Sequence, residues 1–222
     1  MAIDKKNSPT WYKVVVWVVL IGLVLGMVAV GLTQIFNGGL SNATNSTSSN
    51  QTTSTQDTVT VIDGRYQPVV DAQLEMLKAK PDDFDANNNT GQAYLAWAQE
   101  LMQSSSAQAL TDALNRYKQG LPYLKKAYDL KSSDRNVGGN YAAALYASGN
   151  VAQAVTVAQA VVKASPDFAD GWYNLGIYLS NSSEANAKQD AVTAFRTAIE
   201  KDTSGTLKAS AQQEIDTLNK VK

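Results

Sequence analysis

The sequence predicts an all-α protein with an N-terminal transmembrane helix, a disordered polar linker, an α-solenoid of about three helix pairs and a C-terminal capping helix. Three observations predict this class. Val14–Leu32 is an uncharged apolar run, strand signals beyond Val59–Ile62 are nearly absent, and two later segments align without gaps at an offset of 85 residues. The expected boundaries are 1–13 for a cytoplasmic N-terminus, 14–36 for the anchor, 37–60 for the linker, 61–204 for the repeats and 205–222 for the cap.

The apolar run is long enough to cross a bilayer. At 1.5 Å per residue it spans about 29 Å, close to the roughly 30 Å thickness of the hydrocarbon core. Lys5, Lys6 and Lys13 precede the run, and no charged residue follows it until Asp57. The positive-inside rule therefore places the N-terminus in the cytoplasm and the C-terminal domain outside the cell membrane.

A cleavable signal peptide is the alternative interpretation of this segment. The only candidate cleavage site is 29–31, which still lies inside the apolar run. A signal peptide has an apolar core of about 7–15 residues, so this longer run favours an uncleaved anchor. Gly22 and Gly26 form a GxxxG pair, which would allow the close helix contact of a homodimer, although glycine is common in membrane helices generally.

Ser41–Thr58 is predicted to be a flexible tether. Of its 18 residues, 16 are Ser, Thr, Asn or Gln. Such a segment has too little apolar surface to offset the entropy lost on ordering, so we expect disorder. Asn42, Asn45 and Asn50 each begin an N-x-S/T sequon, which matters only if the host glycosylates exported proteins.

The remaining sequence contains a repeat. Residues 78–82 and 163–167 align, and in both segments a glycine follows the proline by ten positions. The sharpest unit is Ala169–Asp202, with an aromatic, a leucine and a glycine on its first helix and a small–aromatic–small pattern on its second: Trp172, Leu175, Gly176, Ala191, Phe195 and Ala198. This unit resembles the tetratricopeptide repeat, in which small residues let two antiparallel helices approach closely.

Two further units resemble the same family less closely. The unit Arg135–Ser165 has Ala158 where an aromatic residue is usual. The first unit begins at Gly91 but has 17 residues more than the family pattern before Gly120. We therefore expect two extended helices joined through 104–106, with a kink or a restart near Pro122.

Single helices are expected at both ends of the repeats. The upstream helix, Tyr66–Lys80, carries four apolar residues expected on one side: Val69, Val70, Leu74 and Leu77. The downstream helix has an apolar stripe that would cover the end of the solenoid: Leu207, Ala211, Ile215 and Leu218. A solenoid needs such a helix to cover its last apolar face.

The composition excludes several kinds of chemistry. The chain has no cysteine and no histidine, so it lacks disulfides, thiolate nucleophiles and the commonest general base and metal ligand. Its net charge of -1 argues against a nucleic-acid-binding surface. The segment from Asp83 begins like an EF-hand loop, but Asn88 and Tyr94 replace the required glycine and glutamate. We therefore predict a helix N-terminus there, and no enzyme, cofactor or metal site.

The family resemblance implies a peptide- or protein-binding groove lined by the first helix of each pair. Seven residues are expected to face it: Asn89, Gln92, Asn140, Ala143, Tyr173, Asn174 and Ile177. The three asparagines stand two positions before the small residue of their unit, where an amide can both donate to and accept from a peptide backbone. The alternative is that they cap or bridge neighbouring repeats.

The predicted function is a membrane-tethered scaffold or adaptor that presents this groove outside the cytoplasmic membrane, for assembly of an envelope or secretion complex. Its partner would be a protein or an extended peptide segment, with the lipid bilayer contacted through 14–36. The alternatives are a holdase-like chaperone for exported chains and a structural subunit of a surface assembly.

Overall fold

The computed structural model describes residues 55–104 and 106–220, which form eight α-helices. In chain order these are α1 Thr55–Ala79, α2 Phe84–Gln103, α3 Ala107–Leu130, α4 Arg135–Ala147, α5 Val151–Ala164, α6 Ala169–Ser180, α7 Ala187–Lys201 and α8 Lys208–Lys220. No strand occurs within these ranges, so the prediction of an all-α repeat fold is confirmed for them.

The predicted transmembrane segment, 14–36, lies outside the described residues, as do Gly22 and Gly26. Of the eight helices in the described ranges, none combines the length and the apolar character needed to span a bilayer.

The helices form three packed pairs, α2 with α3, α4 with α5 and α6 with α7. Short connections make the helices of each pair antiparallel. Each pair packs against the next, while α1 packs on α2 and α8 packs on α7. The first helices of successive pairs are also neighbours, α2 beside α4 and α4 beside α6. This arrangement is a solenoid in which α2, α4 and α6 share one side.

Polar side chains start several of the helices by accepting hydrogen bonds from their first free N–H groups. Asp83 accepts from the amide of Ala86 at 2.8 Å, and Ser106 accepts from that of Ala109 at 3.0 Å. The segment from Asp83 is therefore a helix N-terminus. Across the described ranges, no three acidic, histidine or cysteine side chains are grouped so as to hold a metal ion.

The turn between α4 and α5 has a glycine-dependent geometry. Gly149 has a φ of 85°, which other residues rarely adopt. Its amide donates to the carbonyl of Tyr146 at 2.9 Å, and the amide of Asn150 donates to that of Leu145 at 2.8 Å. These two bonds form a Schellman motif, which ends α4 and lets the chain reverse into α5.

The first helix differs from its prediction in two ways. It begins at Thr55, so residues 55–60 belong to a helix and not to the linker. The reason is that Val59 and Ile62 are buried in the core, and this packing outweighs their strand propensity. Val69 was expected on the packed side together with Val70, but it is exposed.

Of the kink or restart expected near Pro122, the restart does not occur, because α3 runs unbroken from Ala107 to Leu130. A proline inside a helix leaves the carbonyl four residues earlier without its usual donor. Here Pro122 and Lys118 are both exposed, so water can reach that carbonyl. The extra length of the first unit therefore lies in two long helices that meet near Ser104 and Ser106, as expected.

Candidate peptide-binding groove

One face of α2 is polar and open. Six residues recur at intervals of three or four along it, and all are exposed or half-buried: Asp85, Asn89, Gln92, Ala96, Gln99 and Gln103. In a helix this spacing places them on a single side. The opposite side of α2 is buried between α1 and α3, through Trp97 and Leu101 among others. The polar stripe therefore faces the side that the first helices share.

Two amide atoms just beneath this open face lack hydrogen-bond partners. Within the described residues, Oδ1 of Asn88 and Nε2 of Gln99 are buried and unpaired. The two residues are 11 positions apart. Their side chains therefore point in almost the same direction from the helix and are separated by about 16 Å along its axis. Leaving such a group buried and unpaired costs about 1–3 kcal/mol. One atom is an acceptor and the other a donor, the combination that a peptide backbone can satisfy.

The seven residues predicted to line the groove lie in different environments. Asn89 is exposed, and Gln92 and Asn140 are half-buried. Three others are buried and offer little surface to a ligand: Ala143, Tyr173 and Ile177. The groove-facing positions are thus polar and open on α2, and largely covered on α4 and α6.

Asn174 lies beside a small cavity between two repeats. The cavity has a volume of about 10 Å³ and is lined by residues of α4, α5 and α6, including Gly139, Ala142, Val161 and Tyr178. This volume holds about one water molecule. The position of Asn174 at the junction of two repeats favours the bridging alternative for this asparagine over direct partner contact.

Glu214 lies half-buried on α8, the last helix of the solenoid. Burial raises the pKa of this carboxyl group. Its charge acts on Tyr146 of α4 and Tyr173 of α6, and burial together with this charge raises the pKa of Tyr173 to about 12. Glu214 therefore acts on two buried tyrosines, which themselves offer little surface to a ligand.

Replacing Glu214 with Gln is expected to raise the melting temperature at pH 7. A carboxyl group whose pKa is raised in the folded state stabilises the fold below its unfolded pKa, and that contribution is lost as the pH rises through the folded pKa. The gain should therefore vanish below about pH 4.3, the ordinary pKa of glutamate, because both side chains are then neutral.

The control is Glu184→Gln, which makes the same change on an exposed residue between α6 and α7. Thermal melts of both variants and the wild type from pH 3 to pH 8 measure the effect. A gain in Glu214→Gln that does not change with pH would contradict the electrostatic cause.

Sequence reasoning missed Asn88 and Gln99. The predicted groove residues occupy equivalent positions in the three units, whereas Gln99 lies in the long part of α2 that has no equivalent in the other units. The available signal was the amide-rich spacing of α2 itself, with Asn88, Gln92 and Gln99 separated by four and seven residues. These intervals place the three amides on one helix face.

Comparison with known proteins supports the family resemblance. A model of the tetratricopeptide repeat family matches residues 113–175. This range extends from the first third of α3 into α6 and includes the complete pair α4–α5. No curated protein matches the sequence.

Two solved structures show the same fold. The crystal structure of MamA is similar with a TM-score of 0.55 and 17% sequence identity, covering 73% of this chain and 81% of MamA. TTC0263, a thermophilic tetratricopeptide-repeat protein of Thermus thermophilus, is similar with a TM-score of 0.52 and 14% identity, covering 72% of this chain and 77% of its own. The described helices therefore have the fold of tetratricopeptide-repeat proteins.

Proposed function

We propose that this chain, a tetratricopeptide-repeat solenoid, is a membrane-tethered scaffold that binds an extended segment of a partner protein. The repeat fold supports a role in protein–protein interaction. Binding would occur along the open face of α2, with Asn140 of α4 at its border. The role is recognition and assembly, not catalysis.

The observation that carries the proposal is the unpaired acceptor on Asn88 and the unpaired donor on Gln99. An extended peptide advances about 3.3 Å per residue, so the separation of about 16 Å between these two side chains corresponds to about five residues. Between them lies the half-buried amide of Gln92. On binding, the Asn88 and Gln99 side chains would turn outward and pair with the N–H and C=O groups of the bound segment, which favours recognition of the backbone over recognition of a particular side chain.

The distribution of charge supports a neutral or basic partner segment. Along α2, α4 and α6 the acidic residues are Asp85, Glu100 and Asp170, and the single basic residue is Arg135. The second helices of the pairs instead carry a surplus of lysine and arginine, as in Lys118 of α3. A groove that captures a carboxylate needs basic side chains, and the face of α2 has none.

Membrane tethering is the second part of the proposal, and it is supported by the sequence before α1. The run Val14–Leu32 has the length of a membrane span, and the lysines that precede it favour a cytoplasmic N-terminus. This topology holds the groove outside the cytoplasmic membrane. The partner would then be a component of an envelope or secretion complex.

Photo-crosslinking from the groove tests both parts together. A benzophenone amino acid replaces Gln92 in the full-length chain, and the crosslinked partner is identified by mass spectrometry from intact cells of the native host. The control places the same group at Thr193, which is exposed on α7. A partner with extracytoplasmic segments that is captured only from position 92 is the expected result. Equal capture from both positions would contradict the groove, and an exclusively cytoplasmic partner would contradict the topology.

The double replacement Asn88→Ala with Gln99→Ala is expected to abolish this capture without lowering the melting temperature. The reason is that it removes two polar atoms that are unpaired in the free protein. A matched control replaces Gln153 and Gln159, exposed amides of α5, with alanine. A double variant that melts at a lower temperature and still captures its partner would show that the two amides are structural.

A further inference from the structure

The outer face of α1 carries an unusual concentration of exposed apolar side chains. Among residues 58–104 and 106–220 four large apolar side chains are exposed: Val61 at 60%, Val69 at 38%, Met76 at 53% and Leu130 at 43%. Three of the four lie on α1, separated by eight and seven residues. At 100° per residue they fall within an arc of about 80°, so they form one stripe along the helix.

The adjacent chain is poorly suited to cover this stripe. In a repeat solenoid, α1 corresponds to the second helix of a pair, and a first helix would normally pack beside it. The segment directly before α1, 41–54, is composed almost entirely of Ser, Thr, Asn and Gln. It has no apolar side of the kind that an amphipathic first helix needs.

We propose that the stripe is a self-association surface, on which α1 of a second copy packs in the antiparallel direction. Pairing Val61 with the partner's Met76 puts the two-fold axis between positions 68 and 69. Val69 then lies at the centre of the contact in both copies. The stripe is therefore complementary to itself in this register, as a two-fold interface requires.

A cavity at one end of the stripe supports the register. It measures about 320 Å³ and lies between α1 and the end of α2, lined by Val61, Ile62, Arg65, Glu100 and Gln103 among others. In the antiparallel register, the partner's Met76 reaches this cavity, because it lies opposite Val61. A methionine side chain is unbranched and flexible, and it fills irregular apolar gaps well.

The charges on α1 favour the antiparallel direction over the parallel one. In the antiparallel register Arg65 lies opposite position 72 of the partner, next to the partner's Asp71 and one turn from the partner's Glu75. Arg65 already binds Glu100 of its own copy at 2.6 Å, but its guanidinium has further donors and remains about half exposed. A parallel pair would instead place Asp71 opposite Asp71 and Glu75 opposite Glu75, which is unfavourable.

The contact area sets the expected strength of the association. A single helix pair is smaller than the roughly 1,600 Å² buried in a standard interface, so the dimer should be weak and dependent on concentration.

Cysteine crosslinking tests the proposal, because the natural chain contains no cysteine. Full-length Val61→Cys and Met76→Cys chains, carrying tags of different size, are oxidised separately and as a mixture, and products are separated on a non-reducing gel. The mixture is expected to give the disulfide-linked heterodimer, and each variant alone to give little product. Leu130→Cys measures random collision, since Leu130 is exposed but lies on α3 and not on α1.

Two outcomes would overturn the proposal. Strong crosslinking of each variant alone would indicate a parallel pair, and product no greater than that of Leu130→Cys would show that α1 does not self-associate. If the chains dimerised only through a segment before α1, cysteines at positions 61 and 76 would not be crosslinked to each other preferentially.

Substitution at the centre of the stripe gives a second test. Val69→Glu, added to both cysteine chains, brings two carboxylates together at the two-fold axis and should lower the heterodimer yield at low protein concentration by about tenfold. The matched change Leu130→Glu should leave the yield unaltered, and neither change should shift the melting temperature. An undiminished yield in the Val69→Glu background would also overturn the proposal.

Discussion

Replacing Gly176 with alanine is expected to destabilise the domain by about 1–3 kcal/mol, although alanine is the better helix former. Gly176 lies where α6 crosses α7. A Cβ atom added there would lie 2.7–2.9 Å from three ring carbons of Phe195. The Phe195 ring is fully buried, so it cannot move aside without disturbing its neighbours. The overpacking should therefore outweigh the gain in helix propensity.

The control is Gly139→Ala in α4, where the added Cβ would meet only the Phe168 ring at 4.0 Å, an ordinary contact. This change should stabilise the domain by up to about 1 kcal/mol, the usual gain of alanine over glycine inside a helix. Urea unfolding of the wild type and both variants measures the two effects. If Gly176→Ala is as stable as Gly139→Ala, the crossing is looser than its geometry indicates.

A compensating change isolates the cause of the destabilisation. Phe195→Leu should by itself destabilise the domain through lost packing. Combined with Gly176→Ala, it should cost less than the sum of the two single changes, because the smaller side chain makes room for the new methyl group. Additive effects would show that the added methyl and the Phe195 ring are not in conflict.

The close contact between α6 and α7 could be predicted from the sequence because it depends on the spacing of small and aromatic residues within one unit. Gly176, Ala191, Phe195 and Ala198 recur at family intervals, and the size of each side chain determines how closely two helices can approach. The same reasoning located the unit Arg135–Ser165, which contains α4 and α5. These features depend on residues that are near one another in the chain and on a backbone geometry that few residue types permit.

The environment of the groove residues was harder to predict, because it depends on how successive pairs pack together. The intervals place Asn174 and Asn89 at equivalent positions, yet Asn89 is exposed and Asn174 borders a cavity between repeats. The start of α1 was missed for a similar reason. The strand propensity of Val59 and Ile62 predicts a short strand when the local sequence is taken alone. Both residues are helical because their side chains are buried in the core.

Replacing Trp97 with alanine is expected to have the largest effect on the N-terminal part of the fold, because Trp97 joins α1, α2 and α3. Its indole is fully buried, and its N–H donates to Oδ1 of Asp63 in α1 at 2.8 Å. The guanidinium of Arg116 in α3 lies 3.5 Å from the ring centre, and Tyr66 of α1 stacks at 6.0 Å. Deleting a buried tryptophan typically costs about 3–5 kcal/mol.

The loss should be local, since each unit of a repeat solenoid contacts only its neighbours. We expect the amide protons of α1 to lose their protection from hydrogen exchange in Trp97→Ala, while those of α6 and α7 keep theirs. The matched control is Trp172→Ala, whose indole is only partly buried and donates to the carbonyl of Pro166 at 2.8 Å. That change should cost less and leave α1 protected. Uniform loss of protection across all helices of Trp97→Ala would mean that the solenoid unfolds as one unit, and that the Trp97 cluster stabilises the whole domain instead of attaching α1 alone.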